Sequence, residues 1–253
     1  MDYMYIKKHL GEEWLTKQLE IFESKLWVNI PELRNKVSNE PTNFLLKKID
    51  ELIQKLENVK GFDKWVNEAK TSKTFEDCLF EIMIFENLLS KADLMEIKPN
   101  NPHNNKVPEA LVVKRKNKFY IEAKKLRKIP NSSENKINLL LSNTRDKFKL
   151  SNGILFIGCF DFFGYDNDEV KIKKEIEELK KEVERKLNNS RENSRILAVA
   201  LTNIYIQTDM KKSSLQKRFY LIPRPENLGG FNEKSLREIF DVDGFLVKEN
   251  IFE

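Results

Sequence analysis

Apolar residues recur at helical spacing in the first quarter of the chain. They do so over residues 12–26 and again over 44–56, which predicts two amphipathic helices joined by a loop around 38–41. We therefore expect residues 1–70 to form a helical N-terminal extension and residues 71–253 to form an α/β domain.

The stretch 73–91 is apolar nearly all round the helix that it predicts, so we expect this helix to be buried. Two carboxylates, Glu81 and Glu86, interrupt the apolar residues. Burying a carboxylate is costly unless the group is paired or binds a metal ion. Glu81 is therefore a candidate functional residue, with Glu86 as the alternative. The competing interpretation is that Glu81 pairs with a basic residue such as Lys124.

The pattern beyond this helix is that of strands mixed with helices. The predicted order is strand, hairpin, helix, strand, helix and two strands, at 94–97, 109–114 with 119–125, 133–149, 154–160, 168–187, 196–201 and 218–222. We expect 154–160 to be buried on both faces and 218–222 to lie at a sheet edge, because Pro223 follows it. The order is typical of an α/β chain with a mixed central sheet flanked by helices.

The hairpin brings three charged residues together. Residues two apart on a strand face the same way, so Glu122 and Lys124 share one face of the second strand. If Lys116 and Asn117 form a two-residue turn, Glu109 lies opposite Lys124 on that same face. Two carboxylates and one ammonium group then converge on one patch.

The positive charge of the chain is concentrated around this patch. Residues 98–149 carry 14 Lys and Arg against 4 Asp and Glu, and the densest runs are 114–118 and 124–128. Such a concentration favours a polyanionic partner, most simply nucleic acid. The alternative is a lysine-rich hairpin that binds nothing.

Composition narrows the chemistry. The 253 residues include 8 Gly, 2 His and 2 Cys, too few for zinc sites of several Cys and His or for catalysis by several histidines. Neither Gly-rich phosphate loop, G-x-x-x-x-G-K-S/T or G-x-G-x-x-G, occurs. Carboxylates and lysine remain as the candidate catalytic groups, with a hard metal ion as their cofactor. The longest uncharged apolar run is too short for a bilayer and no signal-peptide core is visible, so we expect a cytoplasmic protein without a membrane partner.

Glu109 after Pro108, the run Ile121-Glu122-Ala123-Lys124, and Glu81 on a buried helix together resemble the PD-(D/E)xK nuclease superfamily. The resemblance covers residues 73–161 and implies a restriction-endonuclease-like core. It also implies that Glu109, Glu122, Glu81 and the backbone carbonyl of Ala123 bind Mg²⁺ or Mn²⁺. Lys124 would orient or deprotonate the attacking water.

The resemblance implies a DNA partner, and the basic residues near the site would contact its phosphates. A homodimer is one arrangement that the sequence leaves open. The predicted nucleic-acid contacts are Lys114, Arg115, Lys116, Lys118, Lys125, Arg127, Lys128 and Lys147.

One residue departs from the superfamily pattern, because Glu109 stands where an aspartate is usual. The extra methylene shifts a ligand by about 1.5 Å, and misplacement on that scale weakens catalysis. The sequence therefore supports two hypotheses: a metal-dependent nuclease that hydrolyses DNA phosphodiester bonds, and a catalytically degenerate module that binds nucleic acid or a protein partner. In a third, the N-terminal helices are a protein-interaction surface and the nuclease-like part is a scaffold.

Overall fold

The fold is taken from a computed structural model, which describes residues 2–29, 40–71, 75–100, 107–126, 133–148, 152–158, 169–189, 195–208, 213–224 and 247–249. The helices are α1 Met4–His9, α2 Glu12–Asn29, α3 Glu40–Leu56, α4 Phe62–Thr71, α5 Phe75–Leu89, α6 Ser133–Lys147 and α7 Glu169–Asn189. The strands are β1 Leu94–Ile97, β2 Ala110–Lys114, β3 Asn117–Lys125, β4 Gly153–Gly158, β5 Ile196–Thr208, β6 Ser213–Pro223 and β7 Val247–Glu249.

These strands form one mixed sheet in which the spatial order follows the chain order, β1 to β7. The central pairs β3–β4 and β4–β5 are parallel, and the outer pairs are antiparallel. Each parallel connection contains a helix, α6 or α7, as parallel neighbours require. The predicted α/β class with a mixed sheet flanked by helices is confirmed.

The two faces of the sheet are covered by different helices. On one face, α1–α5 share a hydrophobic cluster with residues such as Ile121 and Phe156. On the other face, α6 and α7 share a second cluster with Leu155 and Ile157. Strand β4 is therefore buried on both faces, as its unbroken apolar run predicted. Helices α3 and α4 pack directly on the sheet, and α1 and α2 pack on α3. The boundary between an N-terminal extension and a domain at residue 71 stays a prediction.

Helix α5 is buried on nearly every side, as predicted, and it carries both Glu81 and Glu86 into the interior. The indole Nε1 of Trp65 on α4 donates a hydrogen bond to the Cys78 carbonyl of α5 at 3.2 Å. This bond ties α4, a helix that the sequence analysis missed, to the helix that bears Glu81.

The β2–β3 hairpin differs from the prediction in its register. The turn is formed by Arg115 and Lys116, so Lys114 pairs with Asn117, and extending this register places Glu109 beside Glu122 rather than opposite Lys124. The shift is two residues, and an even shift keeps every side chain on its predicted face.

A contact from outside the hairpin accounts for this register. Arg115 has a positive φ of 55°, and its N–H donates to Asp93 Oδ2 at 2.5 Å. Lys114 Nζ lies 3.3 Å from the other oxygen of the same carboxylate. The preference of Asn for positive φ favoured a turn at Asn117, but the anchoring carboxylate precedes β1 and is invisible to a hairpin considered alone.

Strands β5 and β6 are longer than predicted and pair with each other along most of their length. Strand β7 pairs only with residues 215–217 of β6. Within the described chain, residues 218–223 therefore have one neighbouring strand, as expected of an edge before Pro223. No helix of the described ranges has both the length and the apolar character needed to cross a bilayer.

The junction of α4 and β1 depends on one glycine and gives the first testable prediction. Gly61 has a φ of 84°, and a Cβ placed there would lie 1.9 Å from the Ile97 carbonyl oxygen. We expect Gly61→Ala to lower the free energy of unfolding by about 3 kcal/mol or more, from backbone strain and a clash. Urea unfolding followed by circular dichroism measures the change.

The matched control is Gly11→Ala. Gly11 also has a positive φ, of 99°, but nothing lies within 4 Å of its added Cβ. Only the backbone cost of about 1–2 kcal/mol should remain there. Equal losses for the two variants would contradict the close approach of α4 to β1.

Candidate active site

The candidate site lies where β2 and β3 stop pairing. The last pair of the β2–β3 ladder joins Ala110 to Ile121, and the Glu109 N–H donates to the Ile121 carbonyl at 2.9 Å. Beyond this point β3 continues alongside β4. Glu122 and Lys124 are therefore on a strand whose other side opens next to Glu109.

Glu109 is at the centre of the charged groups and its side chain is 6% exposed. One carboxylate oxygen, Oε1, lies 3.2 Å from Lys124 Nζ and 3.3 Å from Lys147 Nζ, while Oε2 pairs with Lys98 Nζ. Burial alone would raise the pKa of Glu109, but the three ammonium groups outweigh it and lower the pKa to about 2. Glu109 is therefore ionised at neutral pH.

Glu122 is more deeply buried, and its carboxylate is only half paired. Its Oε1 lies 2.7 Å from Lys147 Nζ and 2.9 Å from Lys124 Nζ. Its Oε2 is buried and accepts no hydrogen bond. Burial and the nearby charge of Glu109 raise the pKa of Glu122 above its ordinary value.

Glu81 approaches the same place from α5. Its side chain is 7% exposed, and its Oε2 lies 3.5 Å from Lys98 Nζ without accepting a hydrogen bond. Burial, with the charge of Glu109, raises the pKa of Glu81 well above its ordinary value. Glu86, the alternative carboxylate, pairs instead with Lys55 of α3 at 2.5 Å. The structure thus brings Glu81, and not Glu86, to Glu109.

Lys98 is the site residue that the sequence analysis missed. Its Nζ contacts Glu109, lies 2.7 Å from Glu68 Oε2 on α4, and is 12% exposed. The β1–β2 ladder ends at Ile97 paired with Ala110, so the next residue of each strand is Lys98 and Glu109. Pairing the strand at 94–97 with the hairpin would have found this contact, whereas the hairpin alone does not.

Lys147, which the sequence analysis predicted as a nucleic-acid contact, joins the site from the last turn of α6. The carbonyl of Ala123 points to the β2 side of β3, because the carbonyl of Ile121, two residues earlier, accepts from Glu109. It therefore faces the same opening as the two carboxylates.

An open cleft of about 580 Å³ lies at Glu109 and the lysines around it, and four of its eight lining residues are lysines. Lys64 lines the cleft and donates to the Lys98 carbonyl at 2.8 Å and to Asn100 Oδ1 at 3.0 Å. The pKa values of Lys98 and Lys124 are raised, because the neighbouring carboxylates outweigh the effect of burial. The lining residues are Lys64, Glu68, Lys98, Asn100, Val107, Glu109, Lys124 and Lys147.

The basic hairpin lies at the far end of the same strands. Lys114 is five residues along the chain from Glu109, which corresponds to about 17 Å in a strand. The tip residues Lys116 and Lys118 are exposed there, too far away to hold a phosphate next to the carboxylates. Their contact with a more distant part of a nucleic acid stays a prediction.

Lys125 does not face the cleft. Its side chain is 2% exposed and pairs with Glu76 of α5, so it is not available to a phosphate in this structure. The alternation of β3 explains this position, because Lys125 shares the core face with Ala123. The predicted contacts Arg127 and Lys128 lie outside the described residues.

The donor types at the site suit a hard divalent cation, which prefers oxygen ligands. Glu81 and Glu122 each offer a buried oxygen that accepts no hydrogen bond. Among the described residues, a group with one potential ligand atom each within 4.8 Å of one another consists of Glu68, Cys78 and Glu81. Glu109 is not in that group, and both its oxygens contact lysine ammonium groups. A cation that binds Glu109 must therefore displace an ammonium group.

Comparisons with known proteins add little to this geometry. No family model and no curated protein matches the chain. The solved structure of Pyrococcus furiosus SfsA in complex with Ca²⁺ is similar over 57% of this chain and 59% of that chain, with 15% identity and a TM-score of 0.24. A likeness at this level does not establish a family or an activity.

The shared carboxylate of Glu109 makes a stability prediction. Glu109→Gln leaves three ammonium groups without their common counter-charge, and breaking a buried pair costs about 3–5 kcal/mol. Glu81→Gln removes a poorly paired buried charge, so we expect it to stabilise the chain at pH 8. Urea unfolding of both variants in EDTA tests this, and similar losses for both would contradict it.

The stabilisation by Glu81→Gln should depend on pH. Because the pKa of Glu81 is higher in the folded chain than the ordinary 4.5, the unfolded chain releases that proton first as the pH rises. The wild type therefore loses stability from about pH 4.5 up to the raised folded pKa. The advantage of the variant should be full above that pKa and vanish below about pH 4.5. If the difference in melting temperature between Glu81→Gln and the wild type stays constant over this pH range, the raised pKa of Glu81 is contradicted.

Proposed function

We propose that this chain is a metal-dependent nuclease that hydrolyses phosphodiester bonds of nucleic acid, with DNA as its substrate. The observation that carries the proposal is a cleft whose lysines form ion pairs with three buried carboxylates, two of which have an oxygen that accepts no hydrogen bond. This arrangement offers cationic contacts to a phosphate and oxygen ligands to a metal ion at the same place.

The phosphate contacts come from the cleft lysines. Lys64, Lys124 and Lys147 extend from α4, β3 and α6 to one wall of the cleft. Ammonium groups bind backbone phosphates through charge and carry no sequence information by themselves. The cleft therefore favours a nucleic acid held by its backbone.

The metal ligands would be Glu81, Glu109, Glu122 and the carbonyl of Ala123. A bound Mg²⁺ or Mn²⁺ supplies a more acidic water and positive charge for the transition state. The chain itself provides a buried carboxylate shell in which Glu109 is ionised at neutral pH.

Lys124 is the residue best placed to act on the attacking water. It lies 2.9 Å from Glu122 Oε1, lines the cleft and is 37% exposed. Its pKa is raised, so it is protonated in this state and cannot accept a proton. Of the two roles that the resemblance implies, orienting the water and stabilising negative charge on the phosphate fits this pKa better than deprotonation does.

A second candidate function is binding without hydrolysis. Both oxygens of Glu109 are already paired with lysine, and Lys98, Lys124 and Lys147 balance the charge of Glu81, Glu109 and Glu122. If the carboxylates only form ion pairs with these lysines and bind no metal ion, the chain would bind nucleic acid at the cleft without cleaving it.

Cleavage of supercoiled and single-stranded DNA with Mg²⁺ or Mn²⁺ tests the proposal. We expect Lys124→Met to lower the cleavage rate about 100-fold or more, because it removes charge directed at the reacting phosphate. Glu122→Gln should cause a loss of similar size. Lys181→Met, which removes an exposed lysine on α7, is the control and should cleave like the wild type.

Two outcomes would contradict the nuclease. Unchanged rates in both site variants would place any cleavage elsewhere. Binding of DNA by the wild type without cleavage in either metal would favour the binding module. In both cases the salt dependence of DNA affinity reports the total number of phosphates that the chain contacts.

A further inference from the structure

The ammonium group of Lys98 occupies a cage of three carboxylates. It contacts Glu109 Oε2, lies 2.7 Å from Glu68 Oε2, and lies 3.5 Å from Glu81 Oε2. These carboxylates come from three different places in the chain, the residue before β2, helix α4 and helix α5. An ammonium group has three donors and no acceptor, so the chain places its own cation where oxygen ligands converge.

The backbone holds Lys98 in this position. Its φ of 44° lies in the left-handed region, which a lysine rarely adopts. The Lys98 N–H donates to the Glu109 carbonyl at 2.8 Å, and its own carbonyl accepts from Lys64 Nζ at 2.8 Å. Hydrogen bonds on both sides therefore stabilise a strained conformation that directs the side chain into the cage.

The cage has capacity for more positive charge than Lys98 supplies. The side chain of Glu81 is only 7% exposed, and its Oε2 accepts no hydrogen bond. One ammonium group faces three carboxylates, and Lys124 and Lys147 share one of the three, Glu109. An unpartnered buried oxygen aimed at a group of carboxylates is a ligand atom for a divalent cation.

We propose that Lys98 is a tethered competitor for this cage, so that a divalent cation binds only when the Lys98 ammonium leaves it. The side chain already lines the cleft, which gives the displaced ammonium a place to go. The proposal rests on the proposed function in that the cation would be the one used for hydrolysis. It makes Lys98 the residue that sets the metal affinity of the site.

Direct Mn²⁺ binding by the metal-free full chain tests the competition, measured from the electron paramagnetic resonance signal of free Mn²⁺. We expect Lys98→Met to bind Mn²⁺ at least about tenfold more tightly than the wild type, because a competing charge a few ångströms away is removed. Mn²⁺ should also raise the melting temperature of Lys98→Met more than that of the wild type.

Lys60→Met is the control. It removes an ammonium group that pairs with Glu96 at 3.1 Å and is 76% exposed, so it neither contacts the cage nor holds Lys98 in position. Its Mn²⁺ affinity should change by less than about threefold, since only the general field around the site is reduced. An equal gain in Lys60→Met and Lys98→Met would overturn specific competition.

Equal Mn²⁺ affinity in the wild type and Lys98→Met, or no binding by either, also overturns the proposal. If Lys98→Met does not fold, the comparison is made between Glu68→Gln and Glu68→Gln with Lys98→Met, where a removed carboxylate balances the removed ammonium and Glu81 and Glu109 both remain. Affinity should again rise, and no rise overturns the proposal. DNA cleavage by the wild type is scored separately, so failure of the nuclease is distinguishable from failure of the competition.

Discussion

The rest of the site depends on one buried carboxylate that three lysines share. Glu109 receives Lys98 from the end of β1, Lys124 from β3 and Lys147 from the last turn of α6. Each lysine is attached to a different element, so the ion pairs fix the relative positions of a strand end, a strand and a helix. A buried charge without its partners is strongly unfavourable, and the position of each of these elements is therefore tied to the others through Glu109.

Two carboxylate oxygens at the site lie in positions that lower the stability of the folded chain. Glu81 Oε2 and Glu122 Oε2 are buried without a hydrogen bond, which costs about 1–3 kcal/mol each. A fold selected for stability alone would place an apolar or amide side chain at such positions. Their pKa values are raised for the same reason, whereas that of Glu109 is lowered. Carboxylates kept in unfavourable surroundings next to a basic cleft are typical of sites that bind a cation or a substrate.

Features that follow from the alternation of side chains along a strand were predicted correctly from the sequence. Features that depend on a contact with a distant segment of the chain were not. Alternation placed Glu122 and Lys124 on one face, and this survived a register error because the error was two residues. The same alternation places Lys125 on the core face, so its burial was predictable although the charge count suggested a phosphate contact. Lys98 required the β1–β2 pairing, which local patterns do not reveal. The choice between Glu81 and Glu86 required knowing which turn of α5 meets the sheet.

The glutamate at position 109, where the resemblance expects an aspartate, has a physical explanation in this network. Its two oxygens serve different neighbours, with Oε2 at Lys98 and Oε1 at Lys124 and Lys147. An aspartate carboxylate would lie about 1.5 Å closer to the backbone and could not keep both sets of contacts without moving β1 or α6. The longer side chain of Glu109 and the ammonium group of Lys98 therefore stabilise each other, because each supplies the counter-charge that the other needs when buried. The length of the Glu109 side chain is thus tied to the position of Lys98 among the carboxylates.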